Sequence, residues 1–208
     1  MAGMTETRLE RKERTRRAIL DAALRLTRDS TLVGLSLRQV AKEVGIVPTA
    51  FYRHFDSIES LGLALVDESF ASLRALLRDA RLTAQGSSDI VDQSVDALVD
   101  HVHRHRDHFA FIARERAAGP AVVRSAIRHE IELCERELAT DLARMSGTSA
   151  WSGEDLRILA ALLVSTMVAT AEALLSAPRP EVERQVVVTA RTQLRMVIVG
   201  VTHWTTSG

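Results

Sequence analysis

The sequence predicts an all-α fold of about nine helices, and three observations carry the prediction. Apolar residues recur at spacings of three, four and seven through almost the whole chain. Strand signals are nearly missing: β-branched residues do not alternate with polar ones, and no Asn-Gly or Asp-Gly turn occurs. Ten Gly and four Pro in 208 residues leave room for long helices. Hydrophobic residues at 46% and charged residues at 26% are ordinary for a globular chain and argue against wholesale disorder.

The first helix reads from about Thr15 to Arg28, where Ile19, Ala22, Ala23 and Leu26 form one apolar stripe in a charged segment. The second opens at Ser36, with Gln39 as its capping-box partner, and turns Leu37, Val40, Ala41 and Val44 inward. Gly45 ends it, because glycine enters the left-handed region after a helix without steric penalty. A short turn leads to Pro48, which suits the start of a third helix because its missing N–H has no intrahelical partner there. Phe51 and Phe55 point one way and leave Thr49, Tyr52, Arg53 and His54 on the other faces. A fourth helix, capped by Asp56 or Ser57 with Glu59 in its next turn, reaches about Leu82, and Gln85 to Ser88 read as a loop. Five helical segments follow, 89–105, 107–118, 120–145, 153–177 and 180–204, parted by Gly119, by Gly147 to Gly153, and by Pro178 with Pro180. The most apolar run, Ile158 to Ala171, is shorter than the roughly 20 residues a membrane span needs and reads as a buried helix. No membrane association is expected. A single Cys134 excludes an intramolecular disulfide, and no signal peptide is visible, so the cytoplasm is the expected location.

The formal net charge is zero, but it is unevenly distributed. Residues 1–55 hold eleven Lys or Arg against six Asp or Glu, and the remainder holds 16 against 21. A basic module on an acidic body is suited to phosphate contact at one end. The same module contains two short helices joined by a tight glycine turn, the second bearing polar and aromatic groups, which is the helix-turn-helix pattern. In that geometry Arg53 can donate twice to guanine, Thr49 can meet a thymine methyl or a phosphate, and Tyr52 and His54 can reach phosphate oxygens. Burying Arg53 unpaired would cost several kcal/mol, which argues against an ordinary core helix. The basic run Arg8 to Arg17 is either a solvated tail or a further phosphate-contacting segment.

At Leu35-Ser-Leu-Arg-Gln-Val-Ala-Lys-Glu-Val-Gly45 and Pro48-Thr-Ala-Phe-Tyr-Arg-His-Phe55 the chain resembles the DNA-binding domain of the TetR family over residues 14–60. The resemblance implies a helix-turn-helix DNA-binding domain over 1–56, with a helical effector-binding and dimerisation domain over 57–208. It implies that Ser36 helps hold a phosphate, that Arg38 touches a base or phosphate, and that Pro48, Thr49, Tyr52, Arg53 and His54 form the reading surface. Many members carry a lysine just after the His-Phe pair, whereas this chain has Asp56-Ser57-Ile58. Leu61-Gly-Leu-Ala-Leu-Val-Asp-Glu-Ser69 and Arg114-Glu-Arg116 with Gly119 are similar to repressors of unsaturated fatty-acid synthesis that sense long-chain acyl-CoA.

A sensor of that kind requires an apolar pocket, for which Phe70, Leu73, Leu98, Val102, Phe109, Ile112, Ile127 and Met167 are the candidate lining. Arg114, Arg116, Arg124 or Arg128 could meet phosphates at its mouth. The last two helices are apolar on more than one face, with Leu159, Leu163, Val187, Leu194, Val197 and Ile198, so two from each subunit would form an intermolecular four-helix bundle. The expected partners are double-stranded operator DNA, a second copy of the chain, and a small apolar effector such as an acyl-CoA. A dimer places two recognition helices one DNA turn or more apart, roughly 34 to 36 Å, and calls for a palindromic operator. The effector's sign stays open, as does a drug-like or aromatic ligand with an exporter gene as target.

Two other classes are weighed against this one. His101, His105 and His108 fall on one helical face, with His103 nearby, and imidazoles bind zinc or nickel; no carboxylate or thiol is committed to the same site and Arg104 and Arg106 would oppose a cation, so a solvated histidine-rich surface is the favoured reading. An acyl-binding hydrolase finds no Gly-x-Ser-x-Gly elbow, no phosphate-cradling glycine loop and no His-Glu-x-x-His. The protein is therefore expected not to be an enzyme, and no cofactor is expected.

Overall fold

A computed structural model describes residues 7–83, 90–145, 147–148 and 150–204; side chains of 72, 75–83 and 202 are not described. Among the described residues there are nine α-helices and no strand: α1 (Arg8–Leu26), α2 (Leu37–Val44), α3 (Pro48–Phe51), α4 (Ile58–Thr83), α5 (Ile90–Arg104), α6 (Arg106–Ala118), α7 (Ala121–Leu142), α8 (Gly153–Ser176) and α9 (Pro180–His203). The loop expected at Gln85 to Ser88 lies outside the described residues.

Helix α1 starts two turns earlier than the apolar stripe indicates. Thr7 caps it, its side chain accepting from Glu10 N at 3.2 Å while the Glu10 carboxylate accepts from Thr7 N at 2.7 Å. Those first turns have no apolar stripe, so periodicity is silent there although the cap is present. A 3-10 turn at Leu32–Gly34, also unexpected, carries Leu32 into the core at 1% exposure. At α4 the cap is Ser57 rather than Asp56: Ser57 Oγ accepts from Ser60 N, and Ser60 Oγ accepts from Ser57 N, both at 3.1 Å.

The largest core runs from the N-terminal helices into the body. Ile19, Ala23, Val40, Phe51 and Phe55 pack in one cluster with Leu61, Leu65, Val66 and Phe70 of α4, Phe111 of α6, and Val123, Ile127 and Cys134 of α7. Gly62 permits this, since a Cβ there would overlap Leu32 and approach Val123 to 2.9 Å. The head thus shares its core with α4, α6 and α7, crossing the point where the sequence divides the chain. A second core joins Leu98 and Val102 of α5 to Ala171 and Leu174 of α8, and two smaller ones hold α7, α8 and α9 together and tie α5 to α9.

Helix α8 departs from the expectation of a buried helix. Its mean hydropathy over an 18-residue window is 2.1, yet only 28% of that window is buried, and Ile158 and Leu162 are exposed. Leu156, Leu159, Ala160, Ala171 and Leu174 face inward against α5, α7 and α9. The exposed remainder leaves an apolar strip on the outside of the protomer.

Candidate nucleic-acid interface and its seam with the body

The candidate reading surface is assembled by local capping. Ser36 and Gln39 form the expected capping box, at 3.2 Å from Gln39 N to Ser36 Oγ and 2.8 Å from Ser36 N to Gln39 Oε1. Gly45 adopts φ 76°, ψ 29°, and its N–H bonds Lys42 O while Ile46 N bonds Ala41 O at 2.9 Å, a Schellman closure that turns the chain sharply. Pro48 opens α3, which is shorter than the sequence indicates: it ends at Phe51 and continues as tight turns, with His54 N bonded to Phe51 O and Phe55 N to Phe51 O.

Phe51 and Phe55 lie in the core with ring centroids 5.8 Å apart and hold this segment down by its apolar side. Pro48, Thr49, Tyr52 and Arg53 are exposed on the other side, and Tyr52 retains 54% exposure with its ring edge against Phe51. Arg38 is exposed on α2. Ser36 is exposed too, but its hydroxyl is engaged with Gln39. Ile58, standing where a lysine occurs in many chains of the resembled family, is half-buried and packs on the main core.

The basic run beside this surface is helical, not a tail. Arg16 places its guanidinium 4.5 Å from the centre of the Phe55 ring, and Arg17 pairs with Glu68 of α4 at 2.8 Å, so the first half of α1 lies along the reading segment. His54 registers the proximity. Its pKa is lowered, first by burial and then by Lys12, Arg16 and Arg53 against the opposing Glu13.

The head is tied to α6 by contacts that sequence reading did not single out. Leu32 N donates to Glu115 Oε1 at 2.9 Å, and the Glu115 side chain is wholly buried. Its other oxygen has no hydrogen-bond partner among the described residues, and burial raises its pKa more than the Leu32 bond and Arg114 lower it. Arg114 donates to Thr27 O. Arg28 grips Asp107 with two bonds, Nε to Oδ1 at 3.0 Å and Nη2 to Oδ2 at 2.6 Å. Gly119 lies so close to Glu115 that a Cβ there would overlap its carboxylate; close approach, not a left-handed φ, is what requires glycine at this position. The one sequence signal for this seam was an acid between two arginines at 114–116.

The candidate effector residues are not brought together around one cavity. Phe70, Leu73, Ile112 and Ile127 belong to the main core, whereas Leu98, Val102, Phe109 and Met167 belong to the α5–α8 core. Arg114 and Arg116 instead line an open cleft of about 940 Å³ between the end of α1, α6 and α8. Arg124 donates to Gly119 O at 2.6 Å and is not among that cleft's lining residues.

Of the candidate dimer residues, Leu159 and Leu194 point into the protomer, Leu163, Val187 and Val197 are half-buried there, and Ile198 is exposed. Among the described residues the outward large apolar side chains are Ile158 and Leu162 on α8 and Val182, Val188, Met196, Ile198 and Val199 on α9. Among the described residues no group of three His, Cys, Asp or Glu is arranged to hold a metal. His101, His105 and His108 nonetheless gather where α5 ends and α6 begins: the His101 and His105 rings lie 4.5 Å apart, and His108 Nδ1 is 2.9 Å from Ser69 Oγ. His101 is buried and edge-on to Phe109, and burial, ahead of His105, Arg104 and His108, holds its pKa down to about 4.

Comparison with known proteins bears on both halves. Residues 19–65 match "Bacterial regulatory proteins, tetR family", and residues 87–198 match "Tetracyclin repressor-like, C-terminal domain". Among solved structures, the chain is similar to a transcriptional regulator of the TerR/AcrR family from Aquifex aeolicus VF5, at 14% identity, covering 88% of this chain and 99% of that one, with a TM-score of 0.68. It is similar to a TetR-like transcriptional regulator from Rhodococcus sp. RHA1, at 17% identity and coverages of 89% and 96%, with a TM-score of 0.68. It also resembles the multidrug binding protein EbrR complexed with imidazole, at 17% identity and coverages of 86% and 93%, with a TM-score of 0.61. At such identities the structural likeness is one of fold.

Proposed function

This chain belongs to the TetR family of bacterial regulatory proteins, and we propose that it controls transcription by binding a palindromic operator as a homodimer, under the command of a small apolar effector. One observation carries the reading: Pro48, Thr49, Tyr52 and Arg53 stand exposed on a segment anchored through Phe51 and Phe55, beside a basic helical flank. In the proposed complex Arg53 reads guanine, Thr49 and Pro48 meet a thymine methyl or the backbone, and Tyr52, His54, Arg38 and Ser36 contact phosphates. Binding through Ser36 requires its hydroxyl to turn from Gln39.

Dimerisation is assigned to α8 and α9, because Ile158, Leu162, Val188, Met196 and Val199 leave an apolar surface that a second copy would cover. Leu163, Val187, Val197 and Ile198 lie at its margins, and Leu159 and Leu194 support it from inside. The effector we favour is a long-chain acyl-CoA, which makes lipid or fatty-acid metabolism genes the target. The similarity at 61–69 and 114–119 supports this, as does the exposure of Arg114 and Arg116 to one cleft. An acyl chain among Phe109, Ile112, Leu98 and Met167 would have to part helices that pack closely here, and that displacement is what could be passed to the head.

The test is operator binding on DNA flanking the gene, repeated with saturated and unsaturated acyl-CoAs and with unrelated apolar compounds. Binding altered by acyl-CoA alone supports the reading. Insensitivity to acyl-CoA with response to aromatic cations or dyes would favour a drug-sensing regulator of an exporter gene, a reading that the likeness to a multidrug binding protein keeps in view. Failure to bind any flanking DNA would remove both.

A further inference from the structure

We propose that the cleft between the end of α1, α6 and α8 is a binding site for a small amphiphilic anion, a carboxylate or phosphate head on an apolar body, and that its occupancy is sensed directly by the DNA-reading head. It extends the regulator reading and does not depend on an acyl-CoA being the effector.

The walls come from three places. Arg28 and Asp29 belong to the segment leaving α1, Arg106, Asp107, Arg114 and Arg116 to α6, and Glu172, Leu175 and Ser176 to the end of α8. Four guanidiniums and three carboxylates line about 940 Å³ of open space, with Asp107 and Glu172 each paired to one of the arginines. Each arginine is already held by one partner: Arg28 by Asp107, Arg106 by Leu175 O at 2.7 Å, Arg114 by Thr27 O, and Arg116 by Glu172 at 2.5 Å. Since a guanidinium carries five N–H donors, these bonds leave spare donors on each arginine. Those spare donors suit a planar or tetrahedral oxyanion.

The floor suits the rest of such a ligand. Ala110, Ala113 and Ala117 follow one another at helical spacing along α6, with Leu175 opposite, and form a smooth apolar strip. Beyond the Arg116–Glu172 pair lies a smaller hollow of about 110 Å³, lined by Ile131, Val168, Ala169 and Ser165 and sharing Arg116 and Glu172 with the cleft. A head held among the arginines can thus lay its chain on the alanine strip and push its end past that pair.

The position gives the site its consequence. Arg28 and Asp29 belong to the head, and four residues on Leu32 donates its N–H to Glu115 of the same helix. An anion bridging Arg28 and Arg114, or drawing Arg28 from Asp107, acts on the seam that sets the head against α6. It shifts operator affinity as far as it binds the two settings unequally.

The experiment titrates the full chain calorimetrically with octanoate, octyl phosphate, inorganic phosphate and octan-1-ol, and then measures operator affinity with and without the tighter-binding amphiphile. At least one of the two amphiphiles should bind about tenfold or more tighter than inorganic phosphate and octan-1-ol, because neither control has both head and body. The stronger of octanoate and octyl phosphate identifies the head group. A double variant Arg106→Gln with Arg116→Gln should weaken that binding about tenfold or more, and Ala113→Leu, which fills the floor, should do the same through shape alone. No binding of either amphiphile, octan-1-ol binding as well as they do, or affinities unchanged in both variants would overturn the site. Binding that leaves operator affinity unchanged would overturn the coupling to the head.

Discussion

Replacing Glu115 probes the seam most directly, because its two oxygens make opposite demands. Oε1 accepts the Leu32 N–H at 2.9 Å, in a place so dry that Leu32 is 1% exposed and Glu115 not at all. Glu115→Ala leaves that N–H without a partner, which costs about 1–3 kcal/mol, and removes one packed methylene, worth about 0.8 kcal/mol more. A net loss of about 2–4 kcal/mol is expected, reduced by the relief of no longer burying a carboxylate. Glu115→Gln keeps the acceptor and discards the charge, so it should stay within about 1 kcal/mol of the parent near neutral pH. The pH dependence fixes the sign. Burial raises the Glu115 pKa above the ordinary 4.5, so the fold favours the protonated acid. Its contribution is complete below 4.5 and is lost as pH rises through the folded-state value. The parent should therefore gain on Glu115→Gln as pH falls from about 8 towards about 4.5. Urea unfolding of all three proteins at one protein concentration measures this, the fixed concentration being needed because a dimer's stability depends on it. A Glu115→Gln variant as damaged as Glu115→Ala at about pH 8, or a gap that does not move with pH, would refute the account of a strained, neutral-preferring carboxyl.

Two further outcomes follow from the geometry. Arg53→Ala should cost about 1–3 kcal/mol of discrimination between the operator and its base-substituted variants, while Lys12→Gln should weaken all DNA alike and lower the salt slope by about one unit; fluorescence anisotropy at several salt concentrations separates the two. His101 is buried with its pKa held down to about 4, so the stability it lends is present above the ordinary 6.5 and drains as pH falls between those values, by at most about 1.4 kcal/mol per pH unit. His101→Phe should flatten thermal stability over that window, and an unchanged slope would assign the loss to other groups, such as His108, whose pKa is lowered in the same direction.

Legibility in the sequence followed the range of the forces involved. Ser36 with Gln39, Gly45 and Pro48 act on neighbours within four residues, so the frame of the reading segment could be read directly from spacing, and the Thr7–Glu10 cap obeyed the same rule but went unread because charged turns follow it. Three-dimensional choices were less visible. Which face of α8 and α9 turns outward depends on how α5 and α7 pack against them, so Leu159 and Leu194 could not be told from Ile158 and Met196 by apolarity alone. Nor does periodicity say that Phe70 and Ile127 pack in a different core from Leu98 and Met167. Contacts between groups 79 to 87 residues apart, Arg28 with Asp107, Leu32 with Glu115 and Arg114 with Thr27, leave almost no trace in a single sequence.

Those distant contacts make α6, beside α4 and α7 of the shared core, one of the elements that join the body to the N-terminal helices. Along little more than two turns, Asp107, Arg114 and Glu115 reach the segment between α1 and α2, while His108 reaches Ser69 of α4. Arg106 and Arg116 reach α8 at Leu175 and Glu172. A helix so tied on both sides moves as a unit: a shift along its axis would lengthen several short bonds to the head together, instead of being absorbed at one. The shared core from Phe51 to Ile127 leaves the head little freedom to lag behind, since close-packed interiors transmit displacement. On the proposed reading, an effector that displaces α6 by a fraction of a helical turn need not touch the recognition segment, because Leu32 and Arg28 carry the displacement to the base of α2.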